Sequence, residues 1–532
     1  MGKRVVGLFC GFIALCAVLI GRITALGLEE DYVNAARSHS SYSLTLAETR
    51  GKIYDRNGNA LAGGSYSYKA VVIPSAQTSA ELFNYLSADE LDKISDKLKG
   101  TFPFSMNVPD GGCESDGITV YRVPERYSDS GIATHLVGYC GSEGGESGIE
   151  RAYDEWLSSA SGKLTVTCRI NAAGRSLDAA RQEVSDTTGN SSRGVMLTID
   201  SHIQNIVETA SAEYIDCGAV VVMDVKSSEI LAMASLPDYN RNDIAAVLND
   251  ENSPLLNRAL SAYNAGSVFK PVIAAAALES GIDPLEEYEC EGKVTIGSNT
   301  MGCINRTAHR TVNMYSAIAH SCNTYFINTA ANTGADKILS MAESLGFGKS
   351  TQLATDYKAS SGTLPSAESL KNPAALANFS FGQGTLTVTP VQIAAMFAAI
   401  ARGGEYIEPS VFIGLTDENM NIVSTQKKAA SHTAMSSETA RILDECLRTA
   451  VLEGTAKAGA SDKVTSAAKT GTAETGIFKN NKAVNQAWYA GYFPYEDPQY
   501  VCVVLAESGT SGGASAGPVF KEIAERICAS AA

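Results

Sequence analysis

Ser267 and Lys270 stand three residues apart in YNAGSVFKPV, Tyr263–Val272, just after a glycine and just before a proline and an alanine-rich run. Residues at that spacing on a helix share a face, so an uncharged Lys270 amine could hydrogen-bond to the Ser267 hydroxyl and take its proton, making the alcohol a nucleophile. A free lysine titrates near about 10.4, so burial and a neighbouring cation must lower it before it can act as a base at neutral pH. The plain alternative is a helix start, with Ser267 as the cap, Pro271 in the first turn and Lys270 in solvent. An isolated S-x-x-K is short and common, and other residues must decide between the two.

Two further groups bear on it. Lys469 opens KTGTAE, Lys469–Glu474, on a strand in which Gly471 lets a ligand lie against the backbone and the Thr470 and Thr472 hydroxyls can bind a carboxylate. Lys469 also supplies the second cation that a lowered Lys270 requires. Its plain alternative is an ordinary edge strand. Ser321-Cys322-Asn323 lies between two helical stretches and offers a second hydroxyl and an amide. S-x-N alone carries nothing; S-x-x-K, S-x-N and K-T-G in this order, about 50 and then about 150 residues apart, carry a good deal.

The elements that must position these residues can be read from hydrophobic periodicity. Cys217–Pro237 is a pair of apolar, β-branched runs joined by Lys226-Ser227-Ser228, which reads as a buried antiparallel hairpin. A helical middle follows: one helix from Ser267 to a stop at Gly281, two around Ser321, and one from Thr389 to Gly404. Three strands then begin near Lys463, Asn485 and Gln499, and Gly517–Ala531 closes as a helix with Pro518 near its start. Two strands, a helical insertion, three strands and a final helix describe an α+β fold, a five-stranded antiparallel sheet packed between helices. Upstream, Asn57-Gly58 marks a hairpin turn, and the chain to about residue 193 is rich in Ser, Gly and Asp with few long periodic segments.

Composition limits the partners. The chain of 532 residues carries 42 Lys+Arg against 58 Asp+Glu, a net charge of −16. No basic cluster offers itself to phosphates, so nucleic acid is not an expected partner. Lys3 and Arg4 precede an apolar run that ends at Arg22, long enough for a membrane helix with its positive flank in the cytoplasm. Ala25 and Gly27 would suit signal cleavage, but the run exceeds a usual signal core, which favours an anchor. The 12 cysteines are scattered, with no C-x-x-C pair, so no zinc pattern is expected; Cys290 and Cys303 are close enough in sequence to bridge. No metal and no organic cofactor is expected.

The chain resembles the class B penicillin-binding proteins, the D,D-transpeptidases of peptidoglycan synthesis. The likeness rests on Ser267-x-x-Lys270, Ser321-x-Asn323 and Lys469-Thr470-Gly471, a motif set known for these proteins and for class A β-lactamases. It extends through RGKIYDRNGNALA at Arg50, GIERAYDEWL at Gly148, VMLTIDSHIQ at Val195 and FGQGTLTVTPVQIA at Phe381. The resemblance implies three parts: a cytoplasmic tail and anchor over 1–27, an extended β-rich pedestal over 28–194, and a transpeptidase domain over 195–532. It implies that Ser267 is acylated by a stem peptide with release of terminal D-Ala, that Lys270 is the base, and that Ser321 and Lys469 relay a proton to the leaving amine. Asn323 would hold a substrate amide, the N–H groups of Ser267 and Thr472 would form the oxyanion hole, and Thr470, Gly471 and Thr472 would bind the terminal carboxylate. The expected partners are a D-Ala-D-Ala donor, an amine acceptor, β-lactam antibiotics and a SEDS-type glycan polymerase in the membrane, with the catalytic domain outside the cell. The sequence departs from the pattern at Ala265, Val268, His309-Arg310 and the glycine-free turn Lys226-Ser227-Ser228, none of which removes a catalytic side chain.

Three rivals remain at this stage. A β-lactamase would use Glu368 of ESLKN, Glu368–Asn372, as its hydrolytic base. A Ser-His-Asp hydrolase would use GTSGG, Gly509–Gly513, but no histidine follows it. A non-enzymatic penicillin-recognising receptor would keep the acylation set and lose the transfer.

Overall fold

The computed structural model describes residues 2–28, 40–109, 112–128, 130–177, 182–425, 429–479 and 482–531. By packing, the chain divides into two units, neither continuous in sequence: 1–50, 65–126 and 161–191 form one, and 51–64, 127–160 and 192–532 the other. The expected division treats 28–194 as one stretch, yet 51–64 and 127–160 pack with the larger unit. The physical reason is a non-local pairing, in which strand Lys52–Tyr54 runs parallel to Gly194–Leu197 and antiparallel to Ala60–Ala62 across the Asn57-Gly58 turn.

The smaller unit begins with helix α1, Gly2–Leu28, which is long and apolar enough to cross a bilayer. Its two three-stranded sheets contain Ser41–Thr49, Gly162–Arg169 and Gln182–Asp186, and Phe104–Val108, Ser65–Val72 and Ile118–Glu125. It also holds helices Ala76–Tyr85 and Ala88–Lys99, which the sequence reading did not separate from the irregular chain. Each is started by a serine capping box, at Ser75 and Ser87.

The larger unit is built on a sheet of β1 (Gly218–Asp224), β2 (Ile230–Leu236), β3 (Ala467–Lys479), β4 (Lys482–Phe493) and β5 (Tyr500–Gly509), in the order β2-β1-β5-β4-β3, antiparallel throughout. Its central strands are apolar on both faces because both are covered. Val221, Met223, Val503, Leu505 and Trp488 face one core, and Val220, Val222, Cys502, Val504 and Tyr489 the other. Each such valine removed from water contributes about 1.5–3 kcal/mol.

Seven helices matter to the site: α2 (Ser201–Tyr214), α3 (Lys270–Glu279), α4 (Met314–Ala319), α5 (Asn323–Thr333), α6 (Pro390–Ala401), α7 (Ser437–Leu452) and α8 (Gly517–Ala531). Helix α6 runs through the middle of the first core. Its residues 390–400 are all buried, and Thr389 and Gln392 close its start as a capping box. Helices α2 and α8 cover the other face. The β1–β2 turn does without glycine: Ser228 adopts φ +60°, and its buried hydroxyl accepts a hydrogen bond from Arg402 at 2.7 Å. The strand that carries Lys469 is the free edge of the sheet, which is what positions a site there.

Candidate active site

The turn that carries Ser267 is a 3-10 segment, Gly266–Phe269, and α3 begins only at Lys270. No side chain caps either segment, so the helix-cap explanation of Ser267 is not realised. Gly266 sits at φ +56°, and a Cβ there would meet the Thr472 carbonyl at 2.8 Å. Across the same seam, a Cβ on Gly471 would lie 2.9 Å from Val268 Cγ1 and 3.1 Å from the Ala265 carbonyl. Both glycines are therefore required for the serine turn to lie against β3. The Gly266 N–H is anchored at 2.8 Å on the carbonyl of Gly382, itself at φ +79°. Alanine at Gly266 is expected to destabilise the folded protein by about 1–3 kcal/mol through the left-handed strain alone, and the forced shift from Thr472 should slow acylation as well; thermal unfolding and penicillin-labelling rates check the two effects separately.

Lys270 and Lys469 are both fully buried. Lys270 Nζ donates to the Ser321 carbonyl at 2.7 Å, to Ser321 Oγ at 3.1 Å and to Asn323 Oδ1 at 2.7 Å. Lys469 Nζ donates to the same Ser321 Oγ at 3.1 Å and to the Thr470 carbonyl at 2.9 Å. Ser321 is thus the bridge between the two amines. It reaches that place through a left-handed backbone at φ +58° in the turn between α4 and α5, a conformation uncommon for a residue with a Cβ.

Among the described residues neither lysine has a carboxylate partner. Burial without a counter-charge disfavours the ammonium form. Burial holds Lys270 down at about 7, and it holds Lys469 well below the usual lysine range, with the neighbouring charge of Lys270 lowering it further. Two like charges on one hydroxyl are costly, so the pair resists carrying both protons at once.

The expected direct hydrogen bond from Lys270 to Ser267 is not formed. All three N–H directions of a protonated Lys270 are taken by Ser321 and Asn323, so a lone pair becomes free for Ser267 only after the proton leaves. Among the described residues the half-buried Ser267 hydroxyl has no hydrogen-bond partner. Asn323 is occupied on both sides, accepting from Lys270 and donating from Nδ2 to the Gly302 carbonyl at 2.9 Å. Thr472 Oγ1 accepts from the Gly512 N–H at 3.3 Å, while the buried Thr470 hydroxyl donates to Thr455 Oγ1 at 2.8 Å.

The structure therefore brings Ser267, Lys270, Ser321, Asn323, Lys469, Gly471 and Thr472 to one seam between the serine turn, the α4–α5 turn and the edge strand. Sequence reasoning missed Thr455, Gly382 and Gly512, which hold Thr470, the serine turn and Thr472 in place. Gly382 had a signal in FGQG, and Gly512 lies in GTSGG, a stretch quoted for a different chemistry.

The rival motifs lie elsewhere in function. Glu368 is mostly exposed and ion-paired with Lys371 at 2.6 Å, and Asn372 caps the helix Pro373–Ser380. Ser511 of GTSGG accepts from the Ala514 N–H as a local cap. Cys290 and Cys303 are unbridged, their sulfurs 3.8 Å apart.

The family model of the penicillin-binding protein transpeptidase domain matches residues 218–525, more than half of the chain, and that of the penicillin-binding protein dimerisation domain matches 45–192. The chain belongs to the class B penicillin-binding proteins. Among similar proteins, the peptidoglycan D,D-transpeptidase PbpA of Mycolicibacterium smegmatis is 31% identical over 430 residues, spanning 76% of this penicillin-binding protein and 82% of that one. A solved D,D-transpeptidase domain of a peptidoglycan glycosyltransferase from Eggerthella lenta is 28% identical with a TM-score of 0.65, covering 90% of this chain and 99% of the other. A chain from a solved peptidoglycan synthase complex is 26% identical with a TM-score of 0.70, covering 97% of each.

Proposed function

We propose that this penicillin-binding protein is a membrane-anchored, serine-type D,D-transpeptidase that cross-links peptidoglycan stem peptides. The observation that carries the reading is the convergence of two buried, carboxylate-free lysines on one serine hydroxyl, beside a second serine with an uncommitted hydroxyl at a sheet edge. The name of the family and the activity named for PbpA support it.

The stem peptide would lie along the free edge of β3 as an added strand, with its terminal carboxylate toward Thr470 and Thr472. Neutral Lys270 takes the Ser267 proton while Oγ attacks the carbonyl of the penultimate D-Ala. The tetrahedral oxyanion is held by the N–H groups of Ser267 and Thr472, a contribution of about 3 kcal/mol for each donor. The C–N bond breaks as the proton, relayed through Ser321 from the lysine pair, reaches the departing D-Ala amine. A neighbouring strand's amine then attacks the ester, its proton returns to Ser267 by the same route, and the cross-link is made. A β-lactam enters the same acylation, its ring C–N bond breaking in place of the peptide's.

Helix α1 serves as a single-pass anchor with Lys3 and Arg4 in the cytoplasm and the catalytic domain outside. Residues 28–194, apart from the 51–64 and 127–160 stretches that pack with the larger unit, serve as the pedestal. A SEDS-type glycan polymerase in the same membrane is the partner that this architecture suits, and the match to a synthase-complex chain supports it.

The test is cross-linking of nascent glycan by the purified full-length chain in detergent. Dimeric muropeptides with release of D-Ala are expected, and folded, penicillin-labelled protein that yields none overturns the transfer step. Hydrolysis of benzylpenicillin within seconds, in place of an adduct held for many minutes, would favour the β-lactamase. The acylation rate should also rise with pH. The neutral form of Lys270 is the active one, so the rate constant for penicillin acylation is expected to climb through about pH 7 and level off above it, as read by quenched-flow labelling.

A further inference from the structure

The Ser267 side chain does not fix its own position. Its hydroxyl has no hydrogen-bond partner among the described residues, and Lys270 is held by Ser321 and Asn323 instead. The backbone on either side must therefore place it. Downstream the serine turn runs into α3. Upstream it hangs from Tyr263 and Asn264, which lie outside any helix or long strand, and three side chains of the sheet converge on those two residues.

Strand geometry brings the three together. Gln486 and Trp488 are two apart on β4, so they leave the same face. Trp488 opposes Leu505 of β5 and Ala487 opposes Ala506, after which the register slips until Asn485 meets Gly509. Two residues of β5, Glu507 and Ser508, thus face Gln486 alone. Ser508 takes up the extra residue at φ +60°, and Glu507 keeps the face of Leu505 and Trp488.

The indole Nε1 of the buried Trp488 donates to the Asn264 carbonyl at 2.9 Å, and Gln486 Oε1 accepts from the Asn264 N–H at 2.8 Å. Glu507 Oε1 accepts from the Tyr263 hydroxyl at 2.7 Å, while the Tyr263 and Trp488 rings meet edge-on with centroids 6.4 Å apart. Glu507 is itself held by the buried Arg258, whose Nε donates to the same oxygen at 3.0 Å. From the other side, the Tyr263 N–H and carbonyl each bond to Val388 at 2.8 Å. Both backbone polar groups of Asn264 therefore end on side chains of β4, the strand paired with β3. Those side chains face neither the expected substrate edge nor Ser267. An indole has one polar group to spend, and this one is spent on the loop that leads to the nucleophile.

We propose that Gln486, Trp488 and Glu507 are positioning residues that grip Tyr263-Asn264 and thereby set the Ser267 turn against β3 for acylation. The inference rests on the transpeptidase reading. The serine turn has no side-chain cap of its own, so slack at Asn264 passes into it. A misplacement of about an ångström costs a positioned reaction up to about a hundred-fold.

Three variants of the full-length chain in detergent test it. Tyr263→Phe removes only the hydroxyl that binds Glu507, and Gln486→Met removes the acceptor of the Asn264 N–H at nearly unchanged length. Val504→Ala, on the opposite face of β5, weakens the sheet without touching either residue. Stopped-flow reaction with penicillin separates the dissociation constant from the acylation rate constant. The rate constant is expected to fall about 10–100-fold in Tyr263→Phe and Gln486→Met, with the dissociation constant within about three-fold and the shape of the pH profile kept, since Lys270 is untouched. Val504→Ala should acylate as wild type does. Hydrogen exchange of the 266–269 amides should quicken about ten-fold in the first two variants and stay unchanged in the third. Folded Tyr263→Phe and Gln486→Met that both acylate within about three-fold of wild type overturn the proposal, as does a slowing of equal depth in Val504→Ala. Wild type that takes up no penicillin overturns the transpeptidase reading, and the exchange result then decides the grip alone: quickened amides support it and unchanged ones overturn it.

Discussion

Alanine at Ser267 is expected to abolish covalent labelling by a fluorescent penicillin while leaving the protein as stable as wild type. The two halves of that expectation come from the same observation. The Ser267 hydroxyl is half-buried, caps no helix and has no hydrogen-bond partner among the described residues, so its removal orphans nothing and should change stability by less than about 0.5 kcal/mol. The same hydroxyl is the only atom in the proposed mechanism that bonds to substrate. Removing a nucleophile of this kind typically costs about a million-fold, the figure known for the serine of subtilisin. Intact-mass spectrometry after drug exposure reads the result directly. An adduct of undiminished stoichiometry on Ser267→Ala would falsify the assignment, and peptide mapping would then show which residue carries it.

What the sequence made legible was chemistry stated in side chains and sheet stated in runs. Ser267, Lys270, Ser321, Asn323 and Lys469 stand out because they follow the order of a known motif set, since hydroxyls and amines at such spacings are common on their own. The five strands are identifiable because both faces of the sheet are covered, which leaves continuous apolar runs such as Val501–Leu505. Other features depend on backbone geometry or on distant partners and leave no local trace. The left-handed turn at Ser321 falls on a residue with no special preference for it. The pairing of Lys52–Tyr54 with Gly194–Leu197 joins segments more than a hundred residues apart, and no periodicity reports it. Even the hydrogen bonding of Lys270 was hidden, since spacing indicates Ser267 as its neighbour and only the fold supplies the competing acceptors.

That competition makes Lys270 the second site at which a large effect is expected, and two substitutions separate its duties. Methionine keeps the length and removes both charge and base. Acylation should fall by about a hundred- to ten-thousand-fold, the usual worth of a positioned general base, and the inflection near pH 7 should vanish from what rate remains. Stability responds to two opposed terms: relief from burying a cation without a carboxylate partner, and the loss of a donor to the Ser321 carbonyl and Asn323 Oδ1, at about 1–3 kcal/mol for each group left unsatisfied. The net change should therefore be small beside the change in rate. Arginine keeps the charge and the donors and cannot lose its proton at any pH tested. If Lys270 served only to hold Ser321 and Asn323 by its charge, Lys270→Arg would retain much of the wild-type rate. The base assignment predicts a loss as deep as that of methionine, because a saturated cation has no lone pair to offer Ser267. Quenched-flow acylation of the three proteins, with thermal unfolding alongside, compares the roles on one protein scaffold, and an arginine variant within about ten-fold of wild type rules the base out.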